Sequence, residues 1–567
     1  MRGLETSVVK IRHEVFKEVA KVAFEAEPDK VNDAIEGIPY TIVPTEQPRY
    51  RESVYRERAV VSERVRLAMG MSLRPQDKPV HITAGIDQSD ISDRYYDPPL
   101  MQVIPSACDK CPENVYEVSN QCRSCVAKAC VAVCPKNAIS VVNGETVINQ
   151  EKCIRCGKCK KVCPYDAIAH KERPCSKVCG VKAISTDEFG RAQIQTDKCV
   201  GCGQCMVSCP FGAIADKSQI FQLIRAIKKG DHVVAEVAPA IMGQFGEGIT
   251  PAIIKGALLD IGFKEVHEVA SGADVAAATE AFQYVDEVVN GKLPFLLTSC
   301  CPAWAMLAKK QFPQLIDKVS QSLTPMVATA RRIKQKTPNA RVVFIGPCAA
   351  KKLEAARESV RSDVDFVITF EELAAIFDAK NIDFKNYVGE RSLHEATGAG
   401  RGYAIAGGVA SAIEKCVKEY YPGVEVKIEH AEGLNDCKNM LLLAKAGKKN
   451  GCLIEGMGCP GGCIAGAGTN IPIEKAALEV KKFVENSTKP LPPKDLYEID
   501  LPKTKKSEEP SLRVFSVFLS VTSQSFPINY YDRVFLPTWQ GKQPNLPFLT
   551  RRPWELAKAP AQNSRLP

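Results

Sequence analysis

No apolar run in this 567-residue chain reaches about 18 residues, so a membrane-spanning helix is not expected. The opening stretch MRGLETSVVKIRHEVFKEVAKVAF is charged and helix-periodic and lacks the apolar region of a secretory signal. Charge of one sign is scarce too. With 75 Lys and Arg against 66 Asp and Glu, the net +9 is too mild on this length to point to nucleic acid. Cysteine is missing from the first 107 residues and from the last 104. Between those limits stand 24 of them. A disulfide framework belongs to small secreted chains. This chain is long and shows no secretory signal, so its thiols read as reduced metal ligands. The 45% hydrophobic and 25% charged content is that of a soluble globular protein, with room for about three or four domains.

Four regions are distinguishable. Residues 1–100 read as a helical region: Val8, Ile11, Val15, Val19, Val22 and Ala23 recur at helical spacing, and a second helix is expected near Arg56–Met69, stopped by Gly70. No chemistry is legible there, and a scaffold role is expected. Residues 101–217 hold 16 cysteines and an internal repeat: CVAVCPKNAI, CKKVCPYDAI, CSKVCGVKAI and CMVSCPFGAI. Residues 218–485 alternate strand-like runs (HVVAEVAP, KEVHEVA, PFLLTS, ARVVFIG, VDFVITF, VEVKIEH, CLIEGM) with helix-like ones, which predicts an α/β domain with largely parallel sheets. Residues 486–567 read as a linker and a disordered C-terminal tail.

The 16 cysteines carry a specific pattern. Cys153, Cys156, Cys159 and Cys163 before a proline have the bacterial ferredoxin spacing, and Cys199, Cys202, Cys205 and Cys209 repeat it. Three thiolates on one tight loop take three corners of a 4Fe-4S cubane, and the fourth cysteine reaches the neighbouring cluster. Zinc sites also use Cys-x-x-Cys pairs but do not require that third and fourth cysteine. Cys122, Cys125, Cys130 and Cys134 form a looser version. The crossing rule then predicts one cluster on Cys122, Cys125, Cys130 and Cys163, and another on Cys153, Cys156, Cys159 and Cys134. A third takes Cys199, Cys202, Cys205 and Cys179. Cys175 and Cys209 lack two partners, and Cys108 with Cys111 are predicted to complete that fourth site. Three to four 4Fe-4S clusters in a row would make an electron relay.

Three loops of the α/β domain carry further thiols, each where a predicted strand ends: 297-LTSCCPAWAML-307, 346-GPCAAKKLEA-355 and 455-EGMGCPGGCIAGAG-468. Ligands of open α/β sheets bind at the carboxyl ends of strands, so such loops converge. These three motifs, in this order and behind a ferredoxin-like relay, resemble the signature of FeFe-hydrogenases of the monomeric, multi-cluster kind. The resemblance covers roughly residues 1–485. It implies an α/β two-lobed H-cluster domain with parallel sheets, preceded by an α+β ferredoxin-like domain and a helical N-terminal region. It implies an H-cluster, a 4Fe-4S cubane joined to a diiron subsite with CO, cyanide and a bridging dithiolate. Its cubane ligands would be Cys301, Cys348, Cys459 and Cys463, with Cys463 also bridging to the diiron subsite.

The same resemblance assigns Lys351 to a cyanide, with Glu354 orienting the loop, and Met457 to the CO-rich face. Backbone amides in VAPAIM, residues 237–242, with Ala238 and Pro239 among the contacts, would face a cyanide; Ala240 stands where relatives often have Ser. Cys300 is free to pass protons, followed by Glu280 and Ser320. The next member is a glutamate in relatives and Gln283 here. An altered outer route is expected, through water or through Asp286 or Glu287, although those two carboxylates read more simply as a solvated helix face. Gly346 stands where fast relatives have Met, which predicts a looser wall over the diiron subsite and a changed oxygen tolerance or catalytic bias. Cys416, Cys437 and Cys452 read as buried structural thiols, and the glycine run 398-GAGRGYAIAGG-408 as a loop packed on the cluster. The reaction implied is reversible 2H⁺ + 2e⁻ ⇌ H₂, in the cytoplasm or an organelle of an anaerobic cell. The partners implied are ferredoxin and maturation proteins for the diiron subsite, the chain acting as a monomer. A hydrogen sensor of slow turnover and a non-catalytic relative used in Fe–S assembly are the rival readings; the latter is expected to lack Cys300, Lys351 and the dense relay. A plain polyferredoxin leaves residues 218–485 unexplained.

Overall fold

The computed structural model describes residues 3–89, 99–357, 359–360, 362–387, 393 and 395–496. The tail expected at 511–567 lies outside them. Thr6 starts helix α1 (Ser7–Glu25) by accepting the Val9 N–H on its hydroxyl at 3.3 Å. The helix buries Ile11, Val15, Phe16, Val19, Ala20 and Ala23 on one face, the stripe read from the sequence. α2 (Val31–Ile42), which the sequence did not announce, and α3 (Val54–Ala68) pack beside it. Gly70, at φ +76°, turns the chain after α3. The N-terminal helices share one apolar core with residues 218–485, running from Val19 and Ile35 to Val234, Val343 and Phe370.

The cysteine-rich region is two ferredoxin-like modules, one inserted in the other. Strand β1 (Met101–Val103) pairs antiparallel with β8 (Ile214–Asp216), and β6 (Ile184–Thr186) with β7 (Ala192–Ile194). Nested between them, β2 (Val115–Val118) pairs with β5 (Ile168–Lys171), and β3 (Ile139–Val142) with β4 (Glu145–Ile148). The insertion explains the incomplete second cysteine set: it parts Cys108 and Cys111 from Cys175 and Cys179. The repeat is also a backbone repeat. Lys110, Ser124, Arg155 and Gly201, each two residues past the first cysteine of a Cys-x-x-Cys, have φ of 52°, 44°, 60° and 69°. Asn137, Asp166, Lys182 and Gly212, each three past the last cysteine of a motif, have φ of 48°, 47°, 52° and 57°. A left-handed residue at each place wraps the loop around its sulfurs.

All seven strands expected in residues 218–485 form, in two parallel sheets. One has the order β10 (Glu265–Glu268), β9 (Val233–Val237), β12 (Arg341–Gly346), β13 (Phe366–Thr369). The other has β11 (Leu296–Leu297), β15 (Cys452–Met457), β14 (Lys427–Glu432). β9, β13 and β15 are buried throughout, as sheets covered on both faces require. Among the described residues no helix is long and apolar enough to cross a membrane.

Candidate metal-cluster site

The three thiol loops leave strands of both sheets: TSCC follows β11, GPC follows β12, and the glycine-rich turn with Cys459 and Cys463 follows β15. Their sulfurs meet. Burial raises the Cys463 thiol well above its ordinary range, with Cys348, Cys301 and Cys459 as its charged neighbours. Burial likewise takes Cys348 up to about 12, with Cys459 and Cys301 beside it. Cys301 caps the helix Pro302–Gln311 and accepts the Gly458 N–H at 3.4 Å. Gly456 is obligatory between these loops, because a Cβ there would stand 2.1 Å from the Trp304 indole. Gly462, at φ +89°, lies against the backbone of Ala404–Ala406, so the glycine run 398–408 does pack on the cysteine turn. Glu455 fastens that run by accepting the N–H groups of Gly407 and Ala410 at 2.9 and 2.8 Å.

Cys300 is half-buried, and its thiol is held well above the ordinary range, by burial first and then by Glu280, Cys301 and Glu455. Burial raises Glu280 to about 7, offset in part by the adjacent Ser320 and Ser299 side chains. Its Oε1 accepts from Ser299 N at 3.2 Å, while Oε2 is buried with no partner. A carboxyl poised near neutrality suits proton exchange. Ser320 donates from Oγ to Gln283 Oε1 at 2.9 Å, and Gln283 Nε2 donates to Glu287 Oε2 at 3.0 Å. Glu287 is buried, which overturns its reading as a solvated face; Asp286 keeps that reading, half-exposed and paired with Lys292 at 2.8 Å. Tyr403, in the glycine run, has a buried hydroxyl without a partner among the described residues and feels Glu280 and Cys300 as neighbours.

Lys351 is buried and pairs with Glu354 at 2.7 Å; Glu354 also accepts from Thr324 Oγ1 at 2.8 Å. Burial pulls this ammonium down, but Glu354 and Cys348 outweigh it and its value is raised. Lys352, which no motif marked, is fully buried between Asp216 and Glu372 at 2.7 and 2.9 Å. Glu236 on β9 was missed altogether. Both its carboxyl oxygens are buried without a hydrogen bond among the described residues, and burial holds its value well above the usual range despite nearby Lys351. Met457 is buried in the apolar cluster that Cys300 and Cys301 pack against. Two expectations need correction. Ala238 gives its N–H to Ile345 O at 2.9 Å and Pro239 has none, so neither offers an amide to a ligand. Gly346 does not leave open space: a Cβ there would stand 2.4 Å from the Phe344 ring, which fills the place of a larger residue.

Fourteen of the sixteen relay cysteines, all but Cys122 and Cys134, fall into four neighbouring groups. Burial raises Cys111, with Cys209 and Cys108 as neighbours, and takes Cys175 to about 12, with Cys209, Cys108 and Cys111 beside it. These four line one cavity with Arg173, Pro210 and Phe211. Cys202 and Cys205 neighbour Cys199 and Cys179, Cys130 neighbours Cys125 and Cys163, and Cys159 neighbours Cys153 and Cys156. Backbone N–H groups point at the sulfurs in a repeating way. Cys134, Cys179 and Cys209 accept from Ala138, Ala183 and Ala213 at 3.3, 3.2 and 3.3 Å. Cys108, Cys153 and Cys199 accept from Ala192, Arg155 and Gly201 at 3.4, 3.4 and 3.5 Å. That donor set suits thiolates. Among the described residues no three His, Cys, Asp or Glu side chains fit one metal ion. A cubane binds each cysteine to its own iron, so its ligands stand farther apart than those of a single ion. The inner group touches the candidate site: Gln204 Nε2 donates to Cys459 Sγ at 3.3 Å, and Cys202 neighbours Cys348. Gly203, at φ +74°, lets that loop lie against Ala467 and Ala349. Cys416, Cys437 and Cys452 are all buried; Cys437 lies near Cys301 and spends its thiol proton on Met457 O at 3.4 Å.

The fold and its thiols define an iron–sulfur protein with a ferredoxin-like relay. Residues 231–467 match the model of the iron only hydrogenase large subunit, C-terminal domain. Residues 169–220 match an LdpA Fe-S cluster-binding domain and 146–169 a 4Fe-4S binding domain. Among curated relatives, the NADP-reducing hydrogenase subunit HndD of Solidesulfovibrio fructosivorans is 29% identical over 62% of this chain and 69% of its own. Iron hydrogenase 1 of Clostridium pasteurianum is 28% identical over 42% of this chain and half of its own. The cytosolic Fe-S cluster assembly factor NAR1 of Kluyveromyces lactis is 40% identical over 18% of this chain and 22% of its own. A solved structure of a variant of the FeFe-hydrogenase HydA1 from Chlamydomonas reinhardtii shares 23% identity over 51% of this chain and 89% of its own, with a TM-score of 0.36. Together the family-model matches and the curated relatives support an FeFe-hydrogenase-family protein.

Proposed function

We propose that this protein is a hydrogenase that catalyses 2H⁺ + 2e⁻ ⇌ H₂ at an H-cluster held by Cys301, Cys348, Cys459 and Cys463. The observation that supports the reading is that those four cysteines, from three strand ends, are neighbours, with half-buried Cys300 and buried Lys351 beside them. The H-cluster, when bound, supplies the redox-active irons at which protons and electrons combine. The protein's own residues do the rest. Cys463 would help hold the group, Lys351 would offer it a cation fixed by Glu354, and Met457 would line an apolar wall beside it. Cys300 exchanges protons with Glu280, whose carboxyl is poised for either direction, and Ser320 carries them outward.

Electrons travel along four 4Fe-4S clusters on the sixteen relay cysteines. The outermost module presents a basic face: within 121–167, eight exposed Lys and Arg stand against three exposed Asp and Glu, around the exposed Cys156. Exposed Val126, Ile154 and Tyr165 lie among them. Basic charge around apolar side chains suits docking of an acidic electron carrier, and a ferredoxin is the partner it fits. Maturation proteins would deliver the diiron subsite.

The match to NAR1 favours a second reading, a role in Fe–S assembly without hydrogen chemistry. Cys300, Lys351 and the full relay favour catalysis. Hydrogen evolution from reduced methyl viologen decides, using protein matured anaerobically. Wild type is expected to be active and Cys300→Ser to lose at least about 100-fold, the scale of a positioned proton donor. Inactive wild type, with the same maturation system active on a control hydrogenase, would favour the assembly role.

A further inference from the structure

The proton line from Cys300 does not stop at the amide of Gln283. Ser320 Oγ donates to Gln283 Oε1 at 2.9 Å, and Gln283 Nε2 donates onward to Glu287 Oε2 at 3.0 Å. Both bonds run outward. Gln283 ends the α-helical part of its helix, and Tyr284–Val289 continue as a π-turn. Wider turns of this kind concentrate at functional sites. Here the first residues of the turn keep Glu287 on the Gln283 face, while Asp286 is turned to solvent and bound to Lys292. Glu287 is 8% exposed, enclosed yet at the surface.

We propose that Glu287 is the solvent-side proton-carrying residue of this chain, and that the Gln283 amide relays protons between it and Ser320. Outward transfer balances at every group. Ser320 takes a proton from Glu280 on Oγ and gives its own to Gln283 Oε1. Gln283 gives one from Nε2 to the Glu287 carboxylate, which releases it to water. Gln283 is left as the imidic acid and returns to the amide when a proton passes from its oxygen to its nitrogen. Inward transfer runs the same steps backward. The amide is the slow link, so a carboxylate at 283 would carry protons faster and make Glu287 dispensable. The charged groups around Glu287 are Asp286 and Lys292, which offset one another.

The source of the protons rests on the hydrogenase reading above, so the test has an arm that does not. Full-length protein produced without maturation partners carries its 4Fe-4S clusters alone. In it, rapid mixing into D₂O followed by infrared of the protonated Glu280 carboxyl reads solvent exchange directly, with Glu280→Gln to identify the band. Glu287→Gln is expected to slow that exchange at least tenfold, Glu287→Asp to restore most of it, and Asp286→Asn to leave it unchanged. In matured protein, Glu287→Gln should lower hydrogen turnover with the KM for viologen unchanged, and Gln283→Glu should rescue it. Unchanged exchange in Glu287→Gln, or equal slowing in Asp286→Asn, would overturn the proposal whatever the fate of the hydrogenase reading. Normal exchange effects with no hydrogen turnover in any variant would overturn only that reading.

Discussion

Replacing Lys352 with Met should cost this protein about 3–5 kcal/mol, the range for removing one partner of a buried ion pair. The structure sets the magnitude. The ammonium is fully enclosed and makes three bonds: to Asp216 at 2.7 Å, Glu372 at 2.9 Å and Lys217 O at 3.1 Å. Both carboxylates are themselves buried, so methionine keeps the stem's volume and leaves two uncompensated charges. Asp216 belongs to the relay and Glu372 to the α/β domain, where its other oxygen completes the capping box of the helix Phe370–Ala379. The variant therefore loosens the seam along which the relay meets the candidate site. Thermal unfolding of anaerobically purified protein is the assay. At about 2–4 °C per kcal/mol for a domain of 150–250 residues, the midpoint should fall by at least about 6 °C. Adding Asp216→Asn and Glu372→Gln should recover much of the loss, because neutral partners no longer need the cation. A fall below about 2 °C for the single variant would refute the buried-pair reasoning.

Iron content tests the nested relay: Cys175→Ala should lose about four irons per chain while retaining about twelve in the other three clusters, and no loss would remove the fourth site. Glu236 predicts a pH effect. Its folded value is raised, so its contribution to stability is full below the ordinary carboxylate range and is lost as pH rises through the folded value. Glu236→Gln should flatten the decline of the urea midpoint between acidic and neutral pH, and an unchanged slope would contradict the assignment. Reversing Lys158, Lys160 and Lys161 to Glu should raise the KM for a reduced acidic ferredoxin at least about tenfold and weaken its salt dependence, with methyl viologen kinetics unchanged; equal effects on both donors would refute the docking face.

The parts of this protein that were legible in its sequence are those whose physics is local. The repeated Cys-Pro-x-x-Ala pattern announces left-handed turns at Asn137, Asp166 and Gly212 because the loop has to wrap sulfur. Strands such as VVAEV and CLIEGM announce themselves by length and composition, and motifs at their ends were placed with them. Orphaned Cys108 and Cys111 even registered the insertion, since cluster chemistry fixes how many ligands are needed. What was hidden depends on packing across long separations. Lys352 carries no motif signal until β8 brings Asp216 to it. Glu236 sits in an apolar run whose burial on both faces no spacing reveals. Gly346 suggested open space because its filler, Phe344, is two residues away on the same strand face. Glu287 looked like a solvated residue one turn beyond Gln283, and only the enclosure of the π-turn shows otherwise.

The central claim is that Cys301, Cys348, Cys459 and Cys463 hold a cluster carrying CO and cyanide beside Cys300 and Lys351. Infrared spectroscopy of the anaerobically matured protein tests it most directly. CO and cyanide stretching bands are expected in wild type and in Cys300→Ser, and absent from Cys463→Ala. Their absence from wild type, with the maturation system proven on a control hydrogenase, would contradict the account.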